Sequence, residues 1–379
     1  MPIKKVLVTG GAGFIGSFIV DALVERGYDV TIFDNLEPQV HNGGIPKYLN
    51  PQARFLSGDV RDYEALKGAV KGAEAIFHEA AMVGVGQSMF QVRKYVDVNS
   101  TGTANLLDIL ANEQHSVQKL IVASSMSLYG EGLYQTKDGR FVEAGERSEG
   151  DLTKKRWECY DPKTGEPLKS CPTPETKEPR STSIYAITKK NQEEQVMVFG
   201  KAHQLPVVAL RYFNTYGPRQ SLNNPYTGVA AIFLNRLKCG QPMLIFEDGR
   251  QQRDFVSVHD IAQANILALE KKEADYEVFN VGSGQPISIA ALADVIMKEY
   301  LGARASARAV PIDIVGKYRK GDIRHCYADI TRIKTRLGFS PKVSMADGIC
   351  ELIVASEAES CEAKADFQID YLAKRKLVI

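Results

Sequence analysis

The chain has 379 residues, 47 Lys and Arg against 46 Asp and Glu, and a formal net charge of +1. That balance excludes a surface built mainly for nucleic acid or anionic membrane, which needs a concentrated basic field. Hydrophobic residues at 44%, charged residues at 25% and 31 glycines exclude disordered, collagenous and coiled-coil classes, and no apolar run approaches the ~18 residues of a spanning helix.

Residues 3–8 form a short β-branched run that ends at Thr9-Gly10-Gly11. Residues 13–26 then place Phe14, Ile15, Phe18, Ile19, Ala22 and Leu23 on one helical stripe, which Gly27 stops. Further short buried strands are expected at 30–33, 54–57, 75–77, 119–124 and 206–212, with helices at 62–71, 87–113 and 183–203 between them. Such alternation implies right-handed crossovers and a parallel sheet. Residues 131–180 break the pattern: they hold 21 charged residues and 5 of the 16 prolines, without apolar periodicity. We read them as an insertion and expect it to cover or border the substrate site. Beyond 217, helices are expected at 228–240, 259–272, 288–301, 329–337 and 345–358, and strands at 243–246 and 277–281. The last twenty residues read as a peripheral tail. The N-terminus lacks the apolar core of a signal peptide. Cys159, Cys171, Cys239, Cys326, Cys350 and Cys361 lack metal-site spacing and read as reduced thiols of a cytoplasmic protein.

The segment Thr9-Gly10-Gly11-Ala12-Gly13-Phe14-Ile15-Gly16 follows the first strand and opens the first helix, the setting of a dinucleotide-binding loop. Gly10 permits the tight turn, Gly13 lets the backbone approach a pyrophosphate, and Gly16 lets the helix pack closely on the strand. Asp34 ends the second strand and suits an adenosine ribose; it is followed by Asn35 and Leu36 rather than a basic residue, which favours NAD over NADP. Asp59, beside Val60 at the end of the third strand, suits the adenine or a helix cap. Ala80 and Ala81 are small enough for the backbone to run against the cofactor. Asn99 either faces the same crevice or is a buried amide satisfied by backbone. Ser124 and Ser125 end the fifth strand at its ligand-binding end, and Tyr185 and Lys189 share one helical face. A lysine one turn from a tyrosine is expected to lower its pKa. Arg253 and Arg324 are candidates to clamp a diphosphate, since guanidinium matches phosphate bidentately.

Together the motifs TGGAGFIG, GDVRD, HEAA, SSMSLYG, YAITK, RYFNTYGPRQ and RDFVSVHD resemble the nucleotide-sugar epimerase/dehydratase branch of the extended short-chain dehydrogenase/reductases, over about residues 3–350. The resemblance implies an α/β fold: a Rossmann doubly wound parallel sheet holding NAD over 1–215, with the insertion inside it. It further implies a smaller C-terminal lobe, mainly 216–358, for the nucleotide diphosphate of a sugar, and leaves 359–379 as a tail. It implies that Gly10, Gly13, Phe14, Ile15, Gly16, Asp34, Asn35, Asp59, Val60, Ala80, Ala81, Asn99, Ser124, Tyr185 and Lys189 line the cofactor. Ser125 and Tyr185 would touch the sugar C4 hydroxyl, Lys189 the nicotinamide ribose, and Asn214, Arg253 and Arg324 the diphosphate side.

Met126 and Ser127 stand where the 4,6-dehydratases carry an Asp-Glu pair; the Glu of the decarboxylases and the Cys of the 3,5-epimerases would also fall at Ser127. Oxidation and re-reduction at one carbon remains, which is 4-epimerisation of a dTDP- or UDP-sugar. The long insertion resembles that of the dTDP-L-rhamnose 4-epimerase subgroup, while UDP-glucose and UDP-glucuronate 4-epimerases share the other motifs. The enzymatic rivals are a dehydratase and a net dehydrogenase or reductase; the non-enzymatic rival is an NAD(H)-sensing regulator. By analogy, the helices at 87–113 and 183–203 would build a homodimer.

Overall fold

The computed structural model describes residues 3–41, 44–224, 227–305, 307–357, 359, 373–375 and 377–379. In chain order the strands begin with β1 (Lys5–Thr9), β2 (Asp29–Asp34), β3 (Arg54–Ser57), β4 (Ala75–His78) and β5 (Lys119–Ser125). The insertion contributes β6 (Leu133–Gln135), β7 (Phe141–Glu143) and β8 (Lys169–Cys171). There follow β9 (Val207–Tyr212), β10 (Asn214–Tyr216), β11 (Met243–Ile245), β12 (Gln252–Ser257), β13 (Glu277–Val281) and β14 (Pro286–Ser288). The main sheet runs β13-β9-β5-β4-β1-β2-β3 with every pair parallel. Its middle strands are covered on both faces, so they read as unbroken apolar runs such as LIVA in β5 and VVAL in β9.

Register brings the strand ends together. Thr9 of β1 pairs with His78 of β4, and Ser125 of β5 pairs with Tyr212 of β9. The loops carrying Gly10, Glu79, Met126 and Phe213 therefore leave the same edge of the sheet, at the carboxyl ends where open α/β sheets take their ligands.

The chain departs from expectation in four places. Residues 258–281, expected in the second lobe, return to the main sheet: helix Val258–Glu270 lies against helix Phe14–Glu25, and β13 pairs with β9. A boundary drawn at 215 misses this because a late strand can pair at a sheet edge without any local sequence signal. The stretch 87–113 is not one helix. It comprises short turns at Val85–Ser88 and Val92–Tyr95, a π-helical turn at Val96–Thr101 and a helix at Gly102–Asn112. The insertion carries a three-stranded antiparallel sheet, β7-β6-β8, too short to register as periodicity. At the C-terminus, Val378 is buried, and Ile379 exchanges backbone hydrogen bonds with Tyr318. The end of the chain is thus docked rather than peripheral, while 360–372 of the expected tail lie outside the described residues.

The smaller lobe packs helices Val229–Lys238, Ile289–Ala303 and Met345–Ala355 around Phe233, Leu292, Ile296 and Ile349. Its small sheet joins β10, β12 and β14. Cys159, Cys171, Cys326 and Cys350 are free; Cys239 is disulfide-bonded, contrary to expectation, because spacing rules see only local pairs. Cys361 lies outside the described residues.

If β13 belongs to the main core, Phe279, which is fully buried there, should behave as a core residue. Phe279→Ala is expected to cost about 3–5 kcal/mol in urea unfolding. A loss below about 1 kcal/mol would place β13 outside the cooperative unit.

Candidate active site

A cleft of about 660 Å³ opens between the sheet edge and the smaller lobe. Its cofactor end is built by backbone. Gly10 has φ +71, and a Cβ there would lie 2.7 Å from the amide nitrogen of Ala80. A Cβ on Gly16 would meet the Gly10 carbonyl oxygen at 2.2 Å. No side chain other than hydrogen fits at either place. Gly13 caps helix Phe14–Glu25 without a side-chain acceptor, and no acidic residue stands in the first turn. The free N–H groups and positive end of the helix are left for an anion. Asp34 is buried; its carboxylate accepts from the amides of Ala12 (3.0 Å) and Leu36 (2.9 Å) while lining the cleft. A glycine cradle, an uncapped helix end and a fixed acidic side chain fit a dinucleotide without a 2′-phosphate.

Phe14, Ile15, Asn35, Asp59, Val60, Ala80 and Ala81 line this end as expected. Asp59 is held by Arg61 through two hydrogen bonds (2.9 and 2.7 Å) and by Asn35 (2.8 Å), and these bonds lower its pKa to about 2. The cap of the following helix is Asp62 instead. Asn99 does not reach the cleft. It sits in the π-helical turn, accepts from Met82 N (2.7 Å), and donates to Met82 O (3.0 Å) and Thr188 Oγ1 (2.9 Å). It ties the cleft wall to the helix bearing Tyr185.

At the reacting end, Ser183 caps helix Ile184–His203 through the Ala186 amide (3.1 Å). The cap fixes where the helix starts, and with it Tyr185 and Lys189. Tyr185 and Ser125 line the cleft together, and Ser125 Oγ accepts from Ser127 N (3.1 Å) and Ser127 Oγ (2.9 Å). Ser124 is turned away and donates to Glu193 (2.6 Å), which pairs with Arg211. Burial raises the Tyr185 pKa, and the Ser125 hydroxyl opposes that rise. The net shift is upward, against the lowering expected from Lys189. Its Nζ donates to Gln192 (2.9 Å), burial lowers its pKa to about 8, and Glu79 and Glu193 oppose that fall.

Glu79, part of the HEAA motif but given no role in sequence, lies in the cleft floor. It accepts from the Tyr212 hydroxyl (3.0 Å), and burial raises its pKa to about 7. The signal was a carboxylate directly after a fully buried strand. His78 beside it is sealed between Thr9 and Thr103 and burial drops its pKa to about 3, so it is neutral and unavailable as a base.

On the lobe side, Asn214 lines the cleft and its Oδ1 is buried without a hydrogen-bond partner among the described residues. Arg253 also lines it, but its NH1 and NH2 are spent on Gln252 O, Arg324 O, Ile323 O and Asp322. Arg324 does not reach the cleft. It is fully buried and saturated by Glu158, Glu247 and Asp248 at 2.6–2.9 Å. Arg319, which sequence reasoning missed, also lines the cleft; it stacks 4.4 Å over Phe246, and its Nε has no partner among the described residues. No residue of 131–180 lines the cleft, so the insertion is not the expected cover.

The raised pKa of Glu79 fixes a sign. Between the ordinary carboxyl range and about 7, the folded protein keeps a proton that the unfolded chain has lost, so this contribution to stability falls as pH rises. Glu79→Gln, neutral at every pH, should therefore gain in Tm relative to the parent between about pH 5 and about pH 8. Parallel Tm profiles would contradict the assignment.

The profile of the NAD dependent epimerase/dehydratase family matches residues 6–148 and 158–282. The chain is 36% identical over 352 residues to the dTDP-L-rhamnose 4-epimerase of Burkholderia thailandensis, covering 92% of this chain and 94% of that one. It superposes on the UDP-glucose 4-epimerase of Thermotoga maritima, solved with UDP-glucose, with a TM-score of 0.73 at 33% identity, covering 93% and 98% of the two chains. The UDP-glucose 4-epimerase of Thermus thermophilus, solved with NAD, gives a TM-score of 0.72 at 29% identity, covering 94% and 100%. Family profile, sequence relatives and fold agree, and the chain belongs to the NAD-dependent epimerase/dehydratase family.

Proposed function

We infer that the chain is an NAD-dependent nucleotide-sugar 4-epimerase with Ser125, Tyr185 and Lys189 as its catalytic residues. The observation that carries this reading is that Ser125, Tyr185 and Lys189 line one cleft with the glycine loop, while Met126 and Ser127 follow Ser125 in place of a carboxylate. When bound, NAD supplies the hydride acceptor and donor. Tyr185 takes the proton of the sugar C4 hydroxyl and later returns it. Ser125, steadied by Ser127, hydrogen-bonds the same oxygen and relays the proton. Lys189 holds positive charge in the cleft floor below about pH 8, and we assign it to the nicotinamide ribose of the bound cofactor. Met126 and Ser127 supply no carboxylate where the dehydratases carry theirs, which supports epimerisation over dehydration.

Asn214, Arg253 and Arg319 are the groups we assign to the diphosphate of a dTDP- or UDP-sugar, Arg319 taking the role expected of Arg324. Around Ser125 and Tyr185 the wall is apolar. Met82 is clamped by Asn99, Val83 is held through Tyr95, and Met126 follows Ser125. Lys189 is the cation of that end, and the remaining lining cations stand on the lobe. This supports a neutral or 6-deoxy hexose over a uronate, whose carboxylate would lose water without gaining a partner. Residues 1–215, with 258–281 added, form the cofactor domain in this reading, and the other lobe residues form the sugar-nucleotide domain. Val92 and Val96 on one helical segment and Ile187 and Val198 on another are exposed, which supports a homodimer across these helices. Among the described residues no helix is long and apolar enough to cross a membrane; a cytoplasmic enzyme fits this reading.

Incubation with UDP-glucose, UDP-glucuronate and dTDP-L-rhamnose tests the function: one neutral sugar should convert to its 4-epimer without accumulation of NADH. Net NADH formation or loss of water would overturn it. Tyr185→Phe should lower kcat by on the order of 10²-fold or more, and Ser125→Ala by less, both with NAD still bound. Near-parental turnover by Tyr185→Phe would move the base elsewhere.

A further inference from the structure

We propose that the insertion is an external strut, and that Arg147 is a positioning residue that holds the Arg319–Phe246 wall of the cleft from behind. The proposal rests on the diphosphate role given to Arg319 above. The Arg147 side chain is 3% exposed and reaches three segments at once. It donates to Trp157 O (2.9 Å) within the insertion, to Glu247 (2.8 Å), and to the backbone oxygen of Asp322 (2.9 Å). Glu131 stands 3.5 Å from its Nε. Glu247 directly follows Phe246, and Asp322 lies three residues beyond Arg319. One buried guanidinium thus fixes both members of the stacked pair without touching the cleft.

The rest of the insertion grips the same wall at alternate residues. Trp157 packs on Tyr318 (6.3 Å between ring centroids), Glu149 pairs with Lys320 (3.2 Å), Arg147 takes Asp322 O, and Glu158 pairs with Arg324 (2.6 Å). The gripped segment turns at Arg319–Asp322, closed by Asp322 N donating to Arg319 O (3.2 Å), and Arg319 through Ile323 line the cleft. A hold on both sides of so tight a turn fixes the direction in which Arg319 leaves it. Glu247 has φ +56, a region costly for a residue with a side chain. Its carboxylate is held there by Arg147 and by Arg324 (2.9 Å). Without that hold, the turn after Phe246 is free to relax, and the ring beneath Arg319 shifts with it.

The test is a double-mutant cycle of Arg147→Met and Arg319→Leu, read in KM, kcat, NAD content and the Kd of UDP and dTDP. Arg147→Met should raise KM and the nucleotide Kd about tenfold, with kcat within about threefold and NAD retained; Arg147→Lys should recover part of the loss. In the Arg319→Leu background Arg147→Met should add little, because it acts through Arg319. Unchanged KM in folded Arg147→Met, while Arg319→Leu raises KM, overturns the strut and leaves the diphosphate reading standing. Multiplying effects overturn it too, since they make the two residues independent. If Arg319→Leu itself leaves nucleotide affinity unchanged, the diphosphate reading fails first and the proposal with it. Should Arg147→Met fail to fold, Trp157→Leu, which loosens the grip on Tyr318 without stranding a buried charge, must show the same rise in KM at constant kcat; an unchanged KM there overturns the proposal.

Discussion

The site depends on the parallel register of the central strands. Because Thr9 stands opposite His78 and Ser125 opposite Tyr212, the glycine loop, Glu79, the serine pair and Asn214 all emerge on one edge. A slip of one residue between β4 and β5, or between β5 and β9, would turn Ser125 away from Tyr185 and reverse every inward side chain. The interior strands are buried on both faces, which makes such a slip costly and the register firm. Helix Ile184–His203 then needs only its Ser183 cap to set Tyr185 opposite Ser125.

Two buried charge clusters flank this edge. Beneath it lie Lys189, Glu79, Glu193 and Arg211; behind the lobe wall lie Arg147, Glu131, Glu247, Arg324, Glu158 and Asp248. Burying charge is expensive, and such groups contribute more to fixing geometry than to net stability. The first cluster leaves titrating groups at the reacting end, where Glu79 and Lys189 are shifted toward neutrality. The second contributes no residue to the cleft, as suits a scaffold.

What could be read in sequence was local. The glycine loop, Asp34, Ser125 and the Tyr185–Lys189 pair lie in short windows whose spacing dictates their geometry, and the structure places all of them at one cleft. What could not be read was tertiary. Arg319 and Arg324 stand five residues apart, and only the folded chain shows that Glu158, Glu247 and Asp248 capture one while the other lines the cleft. The insertion lies between Ser125 and Tyr185 in sequence, yet both its ends leave the sheet edge and its body docks on the outside of the lobe. Asn99 was legible as a buried amide but not as the tie between Met82 and Thr188.

The central claim is that a hydride leaves and returns to the same carbon while no neighbouring C–H bond is broken. The most direct measurement uses a substrate sugar nucleotide carrying deuterium at C4, turned over in ordinary water, alongside the unlabelled sugar turned over in D₂O. The account predicts that the product is inverted at C4 and keeps its deuterium there, and that the unlabelled sugar gains none at C3 or C5. Loss of deuterium from C4, or its appearance at C3 or C5 from solvent, would contradict it.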